Sequence, residues 1–358
     1  MSSDAAEFDY LIIGQGIGGT CLAWHLHRAG KSFRIVHDST APSSSRVAAG
    51  IFNPLTGKKL VKTWLADELF PYASRFYQDI ERQLGVKFYY EMPVFRPFRS
   101  VEEQNSYIAQ TAEPGIAPYV DAAKPPLAMR EYVQSELGGL TVTRSGWVDL
   151  PVFLDHSKAF FEQSGCYTEG SFELTDLEVQ PQKVLWKGNV FQKVIFSRGF
   201  FEVGNGFFDW LPFAPVKGQI LEIETDMPSE PYIINQGIFM LPLDKHRSKA
   251  GATYSWDPLD WATTPEAREE LEGKLRLLLR GRYRVTAQLA GVRPSVKDRR
   301  PLIGVHPEQD NICIFNGLGT KGVTLAPYFA DQFVAHLEHG KELNPLVNIK
   351  RYFSLYFR

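Results

Sequence analysis

Residues 14–19 read Gly14-Gln15-Gly16-Ile17-Gly18-Gly19 and directly follow an apolar run ending in Ile12 and Ile13. No other stretch so narrows what this chain can fold into. The spacing G-x-G-x-x-G has a mechanical reason. Gly14 permits a tight turn, Gly16 lets the main chain approach a pyrophosphate, and Gly19 packs a helix against a strand. Ile17 and Gly18 belong to the turn that opens into a helix, whose free N–H groups would face the phosphates. A strand over 8–13, a helix over 20–29 ended by Gly30 and a strand over 32–36 complete a βαβ unit. In that setting the motif predicts a dinucleotide site. The acidic residue for the ribose belongs about 20 residues further on, at the end of the second strand. Asp38 stands there, but His37 holds the aligned position, and either one could make the contact.

A second glycine cluster, Gly317, Gly319 and Gly322, also follows a strand (312–315) and precedes a helix (323–336). It does not predict a second dinucleotide. Only 36 residues follow Gly322, and another βαβ unit needs roughly 30 or more plus supporting strands. The turn is therefore expected in the same sheet, facing the same ligand from another side. A helix N-terminus with Lys321 beside it would suit negative charge on a reduced flavin.

Elsewhere, residues 39–46 read as a loop, 65–84 and 151–163 as helices, and 184–187, 193–197 and 219–223 as strands. Residues 266–280 form an amphipathic helix with Leu271, Leu275 and Leu278 on one face. Residues 88–137 read as an insertion belonging to a second lobe. Interleaved strands and helices with a strand-rich middle predict an α/β fold with a discontinuous second domain. Lysine plus arginine (39) nearly balance aspartate plus glutamate (41), so bulk charge predicts no non-specific hold on nucleic acid. No apolar run reaches the ~20 residues of a membrane span. The polar start, residues 1–10, lacks a basic secretory leader. Cys21, Cys166 and Cys313 lie far apart and form neither a metal spacing nor a disulfide framework. These features predict a cytoplasmic protein without metal or membrane partner. Arg293, in Gly291-Val292-Arg293-Pro294, earns no role from spacing alone.

Four segments in this order resemble the D-amino-acid oxidase superfamily of FAD enzymes, the group of glycine oxidase and sarcosine oxidase. They are residues 14–19; Ser44-Ser45-Arg46-Val47-Ala48-Ala49-Gly50-Ile51; Pro215-Val216-Lys217-Gly218-Gln219; and residues 291–304 running on to Gly317-Leu318-Gly319-Thr320-Lys321-Gly322. The resemblance implies a Rossmann-like FAD-binding domain (1–87, 145–215 and 291–358). It also implies an α+β substrate domain with a mixed or antiparallel sheet (88–144 and 216–290). Ser44, Ser45 and Arg46 would meet the phosphates and ribityl chain. Ala49, Gly50 and Ile51 would lie along the flavin, and Leu177 would approach the adenine. Gly199, Gly317, Gly319, Thr320, Lys321, Gly322 and Val323 complete the implied cofactor set. Arg293 would hold a substrate carboxylate, with Phe239, Lys321 and Ile51 around it.

The implied reaction is oxidation of the C–N bond of a small amino acid or secondary amine. A hydride passes to flavin N5, the imine hydrolyses, and O2 or another acceptor takes the electrons. No protein acid or base is needed for the transfer if the free amine binds. Two departures stand out. Phe239 falls where the amino-acid oxidases carry a tyrosine, and Thr320 where glycine oxidase carries an arginine. The Gly-Leu-Gly-Thr-Lys-Gly form and Leu343-Asn344-Pro345, with Lys350 and Arg351 in the aromatic and basic run 349–358, resemble the FAD domain of the tRNA wobble-uridine enzyme MnmC. That resemblance implies an alternative substrate, a carboxymethylated amine on tRNA. A non-catalytic flavoprotein is the third alternative.

Overall fold

In a computed structural model of the chain the glycine turn sits at the end of a central parallel strand. The structure describes residues 6–57, 59–121, 129–204, 206–227 and 231–357. Residues 1–5 of the polar start and Arg358 of the C-terminal run lie outside these.

The first sheet is built around Glu7–Ile13, which pairs in parallel with Phe33–His37 on one side and Asn189–Phe196 on the other. Tyr167–Glu169 extends it beyond Phe33–His37, and Ile312–Asn316 joins Asn189–Phe196, both in parallel. The hairpin Leu177–Gln180 and Lys183–Trp186, and the strand Leu302–Val305, are antiparallel additions. Leu11, Ile12, Val194, Ile195 and Ile314 are fully buried, as expected of strands covered on both faces. Helices Ile17–Arg28 and Gly322–His339 pack against each other on one face, and Ala66–Leu84 packs on the latter. The second glycine cluster therefore enters the same sheet as the first.

The second large sheet runs in the order Tyr283–Arg293, Val216–Thr225, Arg247–Gly251, Phe239–Pro242, Ile233–Asn235, Val94–Pro97, Gly139–Val142 and Val120–Asp121. All its pairs are antiparallel except Ile233–Asn235 with Val94–Pro97. Helix Pro265–Leu278 buries Leu271, Leu275 and Leu278 in the core behind this sheet, as its periodicity predicts. The fold is mixed α/β.

Residues 39–46 are not wholly a loop. Ser44–Val47 forms one helical turn, which lies against the end of Tyr283–Arg293. The two segments lie side by side: a Cβ on Gly291 would stand in ordinary contact with Ser44 Cα, at 3.4 Å. The Ser44 hydroxyl donates to the Val292 carbonyl at 2.5 Å. This contact joins the two sheets beside the cavity.

Candidate active site

The glycines of the first turn are fixed by backbone. Gly14 has φ +102°, and a Cβ on it would lie 2.5 Å from the Ser197 carbonyl oxygen. A Cβ on Gly19 would lie 1.9 Å from the Gly14 carbonyl oxygen, the close helix–strand packing that the motif predicts. Gly16 is the N-cap of Ile17–Arg28 and supplies no capping side chain. The Ile17 N–H donates to Ser45 Oγ at 3.1 Å, which ties the turn to the one-turn helix.

A cavity of about 1430 Å³ begins at this turn and extends to the second sheet. That exceeds the roughly 300–1,000 Å³ of an ordinary ligand pocket, so cofactor and substrate can share it. Its wall includes Gly14, Gly16, Ile17 and Gly18, then His37 and Asp38, then Ser44, Ser45, Ala49, Gly50 and Ile51. Gly199, Gly319, Thr320, Gly322 and Val323 line it too, as do Phe239 and Arg293. Shape and chemistry fit FAD: a helix N-terminus whose N-cap is a glycine, with only the Ile17 N–H taken up by Ser45, faces the cavity at a close-approach turn. His37 and Asp38, the two residues expected at the ribose, both line the cavity. Burial lowers the His37 pKa, while Asp38 accepts hydrogen bonds from Thr40 that hold its pKa below the usual carboxylate range.

Five expected residues do not line the cavity. Gly19 and Gly317 are packing glycines; a Cβ on Gly317 would meet Val296 Cγ2 at 2.7 Å. Arg46 is turned outward on its helical turn and pairs with Asp155 at 2.5 Å. Leu177 pairs with Trp186 in a hairpin, and residues 170–173 line the cavity at that end instead. Lys321 caps Gly322–His339, but its ammonium points to Thr63 Oγ1 at 3.4 Å. Burial, ahead of repulsion from Arg300 and Arg299, lowers its pKa.

At the far end, the Arg293 guanidinium lies across Gly218, where a Cβ would approach Nη2 to 2.1 Å. Nη1 donates to the Thr253 carbonyl at 3.4 Å, and the Tyr254 ring stacks at 4.7 Å. Among the described residues no ion pair involves Arg293, and burial lowers its pKa. Its neighbour Lys217 is buried but is paired with Asp260. Phe239, Ile220 and Gly251 form the adjoining wall.

Sequence reasoning missed several lining residues. Asn316 donates to the Gly199 carbonyl at 3.0 Å and accepts from the Gly317 N–H at 2.8 Å, bracing the second glycine turn. Tyr254, Arg96 and Arg99 also line the cavity. Only strand pairing brings them there, so no local motif could have marked them. Glu202, completely buried with both carboxylate oxygens unpartnered, has its pKa pushed up to about 8 by burial.

Comparison with known proteins agrees with this architecture. The chain is 32% identical to the glycine oxidase of Bacillus subtilis over 137 residues, 37% of this chain and 36% of that protein. The curated glycine oxidases are thus matched over only about a third of their length. It is 22% identical over 398 residues to the bifunctional tRNA 5-methylaminomethyl-2-thiouridine biosynthesis protein MnmC of Methylibium petroleiphilum, 90% of this chain and 56% of that protein. The glycine oxidase of Bacillus cereus shares the fold, with a TM-score of 0.77 at 19% identity over 94% of this chain and 96% of that one. Residues 9–336 match the family model described as DAO, FAD dependent oxidoreductase, and the chain is an enzyme belonging to that family.

Proposed function

We propose that this enzyme oxidises the C–N bond of a small carboxylated amine, with Arg293 holding the carboxylate. The observation that carries this reading is the partly buried Arg293 guanidinium, without an ion-pair partner among the described residues, on the wall of the cavity that begins at Gly14. A cation removed from water costs free energy until an anion meets it. A carboxylate does so through two parallel hydrogen bonds, which fix both its position and its plane.

FAD, when bound, accepts a hydride from the carbon beside the substrate nitrogen. The chain's own task is orientation and exclusion of water. Arg293 anchors one end of the substrate, while Ile51, Ile220 and Phe239 offer apolar walls. Phe239 brings no hydroxyl to the carboxylate, whereas Tyr254, stacked on Arg293, brings a phenol close by. A substrate bound as the free amine needs no base before hydride transfer. The imine then takes up water and separates into a carbonyl compound and an amine.

The test is an anaerobic visible spectrum before and after adding glycine, sarcosine, proline or D-amino acids. Bleaching by one of them is the expected result, and a flavin that none reduces counts against the reading. Arg293→Ala should raise KM about 100-fold for the bleaching substrate, the ~3 kcal/mol typical of breaking a desolvated charge pair. Its FAD content should stay intact. Unchanged kinetics remove Arg293 from the site.

One observation favours a second reading: the similarity to the MnmC protein runs along 90% of this chain. A carboxymethylated amine on tRNA would present the same carboxylate to Arg293. Retention on tRNA at moderate salt supports it, and no binding at low salt excludes it.

A further inference from the structure

A second arginine repeats the arrangement of Arg293. The Arg99 guanidinium lies against Gly237, where a Cβ would approach Nη2 to 2.5 Å, as Arg293 lies over Gly218. Both glycines and both arginines line the one cavity. Strand register brings them to the same end of the sheet. Ile220 and Phe239 both pair with Gly251 from opposite sides. Their strands, each antiparallel to Arg247–Gly251, therefore run the same way. Gly218 lies inside its strand two residues before Ile220, and Gly237 lies in the hairpin turn just before Phe239, so both stand at the same end of the sheet.

Arg96 reinforces the second position from the neighbouring strand Val94–Pro97. Its Nη2 donates to the Gly57 carbonyl at 2.9 Å and to the Tyr107 hydroxyl at 3.2 Å, and its guanidinium stacks on the Tyr107 ring. Burial, and repulsion from Arg99, lower its pKa. Among the described residues neither Arg96 nor Arg99 forms an ion pair. The nearby carboxylate, Glu103, accepts the Arg99 main-chain N–H at 2.7 Å and leaves a net positive charge. Glu136 and Lys274, on the same wall, are neutralised by Arg280 and Glu270.

We infer that Arg99 and Arg96 form a second anion-binding position, and that the amine oxidised here carries a carboxylate or phosphate besides the carboxylate at Arg293. This inference rests on the proposed role of Arg293. Phe239, on the same cavity wall, gives an apolar surface suited to the connecting carbons. The bound flavin would supply the same hydride acceptor as before, and both anions would serve only to hold the substrate.

The experiment titrates the FAD-loaded enzyme with dicarboxylates of rising length and with monocarboxylates of the same length, by calorimetry. A dicarboxylate long enough to reach both arginines should bind at least about fivefold tighter than its monocarboxylate, a modest gain because Arg99 is exposed. Arg99→Ala should erase that advantage, and Arg99→Lys should keep part of it. A matched phosphonocarboxylate that binds tighter still identifies phosphate as the second group; weaker binding identifies carboxylate. Equal affinity of the two series at every length, or an advantage that survives Arg99→Ala, overturns the inference. If Arg293→Ala leaves monocarboxylate binding untouched, it is the role of Arg293 that fails. An advantage still lost in Arg99→Ala then keeps the second position.

Discussion

The two ends of the cavity use glycine for opposite purposes. At the cofactor end, Gly14 and Gly19 bring main chain against main chain; the atoms a side chain would strike are carbonyl oxygens of Ser197 and Gly14. At the proposed substrate end, Gly218 and Gly237 clear space for guanidinium groups at the tips of flexible side chains. The first arrangement cannot yield without moving a strand. The second can, at the cost of moving an arginine. One end is therefore fixed in shape whatever the substrate, while the other can change specificity through side chains alone.

The contrast breaks first at Gly19. Gly19→Ala places a methyl 1.9 Å from a carbonyl oxygen. It should cost of the order of 3–5 kcal/mol of stability and most of the bound FAD, read as melting temperature and flavin-to-protein absorbance. A stable yellow variant would show that this turn can relax. Gly218→Ala sharpens the contrast. Its methyl, 2.1 Å from Arg293 Nη2, displaces a side chain. Stability should change by about 1 kcal/mol or less and KM should rise about tenfold, with FAD retained. The smallest effect is expected at Arg46. Its exposed pair with Asp155 makes Arg46→Ala worth about 1 kcal/mol or less. Loss of FAD in that variant would mean the arginine swings in to the cofactor.

The same division separates what the amino-acid sequence makes legible from what it hides. The βαβ unit is legible because a backbone turn needs glycines at fixed spacing, and the second cluster is legible as a strand-to-helix turn for the same reason. Side-chain direction is not legible. Arg46 and Lys321 sit in the segments that resemble the family, yet one faces Asp155 and the other Thr63. Leu177 falls in a hairpin just beyond the cavity. Arg99, Gly237, Gly218 and Arg293 are distant in sequence and meet only through strand order. The turn Ser44–Val47 is hidden because a single helical turn has no periodicity to detect.

That turn has a thermodynamic consequence. Ser45 accepts from Ile17 at the dinucleotide turn, and Ser44 donates to Val292, next to Arg293. One short element thus touches both halves of the reaction. Any free energy that a cofactor contributes by ordering Ser44–Val47 would bear on the strand end that carries Arg293, the proposed substrate anchor. Linkage makes the exchange reciprocal: a carboxylate seated at Arg293 must tighten the hold on the flavin by the same factor that the flavin tightens the hold on the carboxylate.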